Sequence, residues 1–268
     1  MRDKDKTEEY FLQFLQTRID AINFNVQSIQ SGKMSERKIE RAYFRNIDFR
    51  IQSLIAQYSL GNSLREIKNY FKGIINELYK YWYSDCAKIS VVEGKKLNQY
   101  MVSPYERFLH VLSLAFLLNV DDKDFQILVD IIDRDDISDN LYEFIIKARF
   151  PNRVQKRSEE YDTEHSVILK VYNRLRKATK EKDKVAAARL VKQFLEKDYY
   201  HKHMNLYNSH NSKANIYCGY WSFEAAAVVK IMGLDDSSFI DNQYYPKDLV
   251  HQLPLTKEKK GWLGKLGF

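Results

Sequence analysis

Helix breakers are scarce in this sequence, and that scarcity limits the fold more than any motif does. Nine glycines and four prolines make about 5% of the chain, where an average protein carries roughly 12%. Sheets joined by tight hairpins need more punctuation than this. With 29% charged residues and long uninterrupted intervals, the chain reads as all-α, with helices joined by short loops.

Periodicity places those helices. Leu15, Ile19, Ile22, Val26 and Ile29 recur in steps of four and three and form one stripe, which Gly32 ends. Ile39, Tyr43, Ile47, Ile51, Leu54 and Tyr58 repeat the pattern up to Gly61. Ser63 and Glu66 make a capping box for a third helix, whose apolar face is Leu64, Ile67, Phe71, Ile74, Leu78 and Trp82. Three such helices predict a bundle.

Ser103, Pro104 and Glu106 mark a further helix start, followed by the apolar run from Phe108 to Leu118. That run is interrupted by His110 and Ser113 and falls short of the roughly 20 residues a bilayer requires, so it predicts a buried helix and no membrane association. Shorter helices are expected at Lys123–Ile132 and Ser138–Phe150, around an acidic turn from Asp133 to Asp136. The polar stretch Asn152–Asp162 reads as a linker, Val167–Lys177 with Lys184–Glu196 as a helical hairpin, and Trp221–Met232 as a last helix closed by Gly233. The expected organisation is an N-terminal helical region, 1–150, and a C-terminal helical region, 151–268.

A chain of 268 residues can bury a core without staples. Cys86 and Cys218 lack CxxC spacing, and Met1–Glu9 is charged where a secretory signal would be apolar, so a reducing cytoplasm is the expected location. Nothing calls for a cofactor. His201, His203, His210 and Cys218 match no zinc spacing, and the calcium-loop pattern begun by Asp133 and Asp135 fails with Ile137 at its fifth position and Phe144 at its twelfth. GxGxxG, Walker, HExxH and GxSxG signatures are absent, and no catalytic residue is assigned. An enzymatic reading would need Glu224 to meet His210 or Asp248 in a cleft.

The net charge of +7 raises nucleic-acid binding as an alternative. Its distribution is uneven. Between Asn119 and Glu143, nine acids face Lys123 and Arg134, a local charge of −7, whereas Lys147–Lys197 holds 15 basic against seven acidic residues. Those seven acids are dispersed through the basic segment, and the aromatics do not alternate with basic residues as a nucleic-acid surface would want.

Two stretches carry a family resemblance. SPYERFLHVLSLAFLLNVDDKDFQILVDIIDRDDISDNLYEFII, Ser103–Ile146, resembles the C-terminal region of PoNi-type immunity proteins, which protect bacteria against PoNe-type DNase toxins. YCGYWSFEAAAVVKIMGLDDSSFIDNQYYPKDLV, Tyr217–Val250, resembles that family's most recognisable signature, with GYWSFEAAA, LDDSS and YYPKDL in order. The N-terminal helices look like the family's variable partner region. The resemblance implies an immunity protein, not an enzyme, that binds a nuclease toxin and blocks its active site or its access to DNA.

A cover for a DNA-binding cleft would more comfortably be acidic, and the total charge departs from that. The acidic segment is the candidate toxin-binding surface: Asp121, Asp122, Asp124, Asp130, Asp133, Asp135, Asp136 and Asp139 offer carboxylates where DNA phosphates would lie, the alternative being solvated helix ends, where acids are favoured in any case. The signature residues Gly219, Tyr220, Trp221, Glu224, Asp235, Asp236, Tyr245, Pro246 and Asp248 read as structural. Trp221, Ala225, Val228 and Met232 share one stripe with a second beside it, so Glu224 should sit in a buried helix and need a partner.

Overall fold

A computed structural model describes residues 1–90, 96–154, 170–202 and 207–251. The expected linker beyond residue 154, the start of the helix expected from Val167, and His203 lie outside the described residues. The fold is all-α, with one two-stranded sheet among the described residues. By contacts the chain forms two compact units.

The first unit holds Met1–Tyr81 and Asn208–Gly219. Its helices are α1, Glu8–Gln30, α2, Glu36–Leu60, and α3, Leu64–Tyr81. The loops between them are short enough to force each helix back along its predecessor. Thr7 caps α1 by accepting from the Tyr10 amide. At the end of α2, Gly61 takes φ +94, and a Cβ there would lie 3.2 Å from the Met1 backbone, so both conformation and space call for glycine. The capping box forms: Glu66 N–H donates to Ser63 Oγ at 3.3 Å, and Ser63 N–H donates to Glu66 Oε2 at 2.9 Å.

The α1 stripe differs from expectation. Phe11, Phe14, Leu15 and Arg18 are its buried residues, while Ile19, Ile22, Val26 and Ile29 are partly exposed. The shift has a cause within the unit, because the segment before Gly219 is strapped across the first half of α1. Tyr10 Oη donates to the Tyr217 carbonyl at 3.0 Å and Arg18 to the Asn215 carbonyl at 2.6 Å. Burying an aromatic such as Phe71, 0% exposed, makes its truncation to alanine cost about 3–5 kcal/mol.

The second unit takes residues from both sides of position 150, Trp82–Tyr207 and Tyr220–His251. It contains α4, Ser84–Ala87, strands β1, Lys88–Ser90, and β2, Lys96–Tyr100, then α5, Val102–Leu117, α6, Asp122–Arg134, and α7, Asn140–Arg149. After these come α8, Asn173–Lys180, α9, Lys184–Phe194, α10, Phe223–Met232, and α11, Lys247–His251. The antiparallel β1–β2 pair was not expected from the sequence. It is short and polar, and carries too little alternation to register as a strand signal.

Helix α5 is the axis of this unit, buried along nearly its whole length and packed against α6, α7 and α10. It begins at Val102, slightly earlier than the Ser103 signal, and Pro104 is accommodated because first-turn amides have no helical partner to lose. Trp82 leaves α3, which stops at Tyr81, and joins this core, its Nε1 donating to Tyr100 Oη at 3.1 Å. Ala225, Ala226 and Ala227 of α10 are fully buried, and their small size permits close approach to α5. The α9 helix runs on into a π turn at Leu195–Tyr199, which turns Asp198 inward to pair with Arg174.

Candidate functional site

Helix α6 presents the acidic segment. Asp121 is its N-cap, and Asp122 and Asp124 lie in the first turn, where the exposed amides of a helix start favour carboxylates. One face then follows in steps of four, three and four: Asp122, Gln126, Val129 and Asp133. Asp130 is exposed beside it and accepts from Gln126 Nε2 at 2.7 Å. Asp136 is exposed in the turn after α6, with φ +52, and accepts from Asn98 at 2.8 Å.

Two arginines that the sequence reading did not single out hold this face. Arg149 Nε donates to Asp122 at 2.5 Å, with another nitrogen of the same guanidinium on the Val120 carbonyl at 2.9 Å. Arg153 forks across Asp133, at 2.7 and 2.9 Å, and across the buried Glu143, at 2.8 and 2.9 Å. The hydrogen bonds to Asp133 and then to Glu143 push the Arg153 guanidinium further up from an already high pKa. Both residues lay at the start of a segment read as generally basic, and nothing in their spacing pointed to α6.

Asp135 and Asp139 are placed differently from the surface expected of them, because each is 2% exposed and bonded inside the protein. Asp135 accepts from Tyr100 Oη at 2.7 Å, from Arg134 Nε at 2.9 Å and from Ser84 Oγ. Burial, followed by the Asp135 charge, pushes the Tyr100 hydroxyl well above its ordinary range. Asp139 is the N-cap of α7, accepting from the amides of Leu141 at 2.8 Å and Tyr142 at 2.9 Å, and also from Arg176 at 2.7 Å. An isolated buried carboxylate would be costly, and these donors offset that cost. The exposed acids are thus Asp121, Asp122, Asp130, Asp133 and Asp136, with Asp124 partly exposed.

Most of the signature residues face inward. Gly219 takes φ +124, a conformation that favours glycine. Tyr220, Trp221, Tyr245 and Pro246 are buried. Tyr220 packs edge-on to Tyr200 with ring centroids 5.1 Å apart. Glu224, 0% exposed, receives the Ser222 hydroxyl at 2.8 Å, and its other oxygen lies 3.6 Å from His110 Nε2. Asp236 receives Tyr245 Oη at 2.8 Å and lies 2.8 Å from His251 Nε2. Asp235 is exposed and accepts from the Ser237 amide, a bond that holds its carboxyl below the usual range. Asp248 is half-buried in α11.

Among the described residues, no helix is long and apolar enough to cross a membrane and no His, Cys, Asp and Glu cluster is arranged to hold a metal ion.

Comparison with known proteins gives the family. No curated protein matches the chain. Among solved structures, the crystal structure of Protein PA2201 from Pseudomonas aeruginosa is similar, with a TM-score of 0.61 and 14% identity over 93% of this chain and 89% of that one. At that identity the likeness concerns the fold. The N-terminal sequence model of the PoNe immunity proteins matches residues 3–130, and the C-terminal model matches residues 137–249. With both halves matched over nearly its whole length, the chain belongs to the PoNe immunity protein (PoNi) family.

Proposed function

We propose that this immunity protein binds a cognate PoNe-type nuclease toxin in the cytoplasm and neutralises it by occupying the surface through which the toxin reaches DNA. The observation that carries this reading is the acidic face of α6 and its following turn. Asp121, Asp122, Asp124, Asp130, Asp133 and Asp136 gather there in a chain whose net charge is +7. Carboxylates spaced along a helix offer a nuclease the charge of a phosphate backbone without a scissile bond. Charge of this kind speeds encounter and fixes orientation, so the association should be fast at low salt and slow as salt rises.

The test is co-expression with a PoNe-type nuclease toxin. Survival of the cells together with co-purification of a complex supports the reading, and cell death with no complex contradicts it. The charge of +7 favours a second reading, a basic helical protein that binds nucleic acid. That reading predicts DNA binding by the purified chain that falls steeply with salt.

A further inference from the structure

The geometry points to an anchor groove on the acidic face that takes an apolar side chain flanked by lysine or arginine, presented by the DNA-binding surface of the nuclease toxin. The inference rests on the reading of α6 as the toxin-facing element. A groove of about 570 Å³ runs between α6 and the segment that follows α7. The groove is open to solvent, so it can receive a side chain presented by a partner's surface. Its apolar lining is Val129, Phe150, Pro151 and Val154, beside the polar Gln126 and Asn152, and Val154 has 89% of its surface exposed. A valine so exposed contributes little to the core, and covering it with a partner's apolar side chain would remove its surface from water.

The groove is held in shape by its neighbours. Arg149 ties the base of the 150–154 segment to Asp122, and Arg153 ties the far part to Asp133 and Glu143. Phe150 is pinned edge-on against Phe125, ring centroids 5.6 Å apart. A site fixed in advance loses less freedom on binding, which favours tight association. Because both arginines already face carboxylates, they make no demand for an anion in the groove.

Charge selects the occupant. Between Asn119 and Val154 nine acids stand against Lys123, Arg134, Lys147, Arg149 and Arg153, a balance of −4. Nucleic acid is repelled by that balance, and so is a second copy of this chain presenting the same face. A basic, DNA-binding surface of a nuclease is attracted. The arrangement is that of an interface hot spot, an apolar anchor at the centre inside a charged rim.

The experiment measures binding of the full-length chain to a catalytically inactive variant of a PoNe-type nuclease toxin that it protects against in co-expression, by biolayer interferometry at low and at physiological salt. Val154→Glu tests the anchor, and Asp130→Lys combined with Asp136→Asn, which keeps a side chain tolerated at φ +52, tests the rim. All are exposed positions, and an unchanged circular dichroism spectrum and melting temperature verify the fold. Val154→Glu is expected to weaken binding by about 30-fold or more, chiefly through faster dissociation. The double rim variant is expected to slow association at low salt.

If the rim variant weakens binding while Val154→Glu binds as the wild type does, the groove is overturned and the acidic face survives. If neither variant matters in a complex that forms, both are overturned, leaving immunity by another surface. If the unaltered chain forms no complex, the function itself falls. A wild-type dimer that Val154→Glu dissolves would assign the groove to a second copy and overturn the inference.

Discussion

Replacing Asp135 by alanine removes a carboxylate that three donors share, and the cost can be worked from its partners. Tyr100 Oη, on a residue 0% exposed, donates to Asp135 at 2.7 Å while accepting from Trp82 Nε1 at 3.1 Å. With Asp135 gone its proton has no acceptor among these groups, and a buried donor left unsatisfied costs about 1–3 kcal/mol. Ser84 and Arg134 lose bonds as well, but the Arg134 side chain is 45% exposed and water can replace its partner, so its share is small. The total is about 2–4 kcal/mol, which lowers the melting temperature by roughly 5–15 °C. Asp136→Asn is the control one residue away. It keeps a side chain tolerated at φ +52 and sacrifices a charge at an exposed site, so it should alter stability by no more than about 0.5 kcal/mol. Urea unfolding followed by tryptophan fluorescence, to which Trp82 contributes, measures both. Equal midpoints for the two variants would refute the assignment of Asp135 to the interior.

Other predictions concern the signature and the buried tyrosines. Ser222→Ala strips the fully buried Glu224 of its 2.8 Å donor and should destabilise by about 1–3 kcal/mol in the same urea assay, with no separate effect on toxin binding once folded protein is compared. Burial raises the hydroxyls of Tyr100, Tyr105 and Tyr172 well above the ordinary value of 10.0. Above that pH the unfolded chain ionises these groups while the folded chain holds them neutral, so the unfolded state binds fewer protons and stability falls as pH rises. Tyr172→Phe should make that alkaline decline shallower. Because the Tyr172 hydroxyl has no hydrogen-bond partner among the described residues, the substitution should leave stability at neutral pH unchanged or raised by up to about 1 kcal/mol. An unaltered slope in urea titrations from pH 9 to 11 would contradict the tyrosine account.

Much of the helical framework could be read from local signals, because local chemistry produces it. The Ser63–Glu66 box forms as the residues imply, Gly61 takes the left-handed turn that ends α2, and the apolar run around Phe108 becomes the buried axis of the second unit. The errors occur where distant chain decides. Arg18 is buried and Ile22 is not, since the Asn215–Tyr217 segment covers the first half of α1 and leaves the second. The same limit applies to the candidate site. Asp133, Asp135, Asp136 and Asp139 look alike in a row, and Tyr100 and Arg176, far away in sequence, draw Asp135 and Asp139 inside. Glu224 was legible as a buried group in need of a partner, whereas His110, beside it from α5, was not. Arg149 and Arg153 gave no sequence signal because an ion pair to α6 depends on the path of the chain after α7.

A titration of the purified chain into a DNA-cleavage assay of a PoNe-type nuclease toxin decides whether the chain blocks the enzyme. Cleavage should stop near one chain per toxin, and higher salt or the Asp130→Lys, Asp136→Asn variant should require more protein for the same effect. Continued cleavage in the presence of a saturating excess of the chain would contradict the proposed neutralisation.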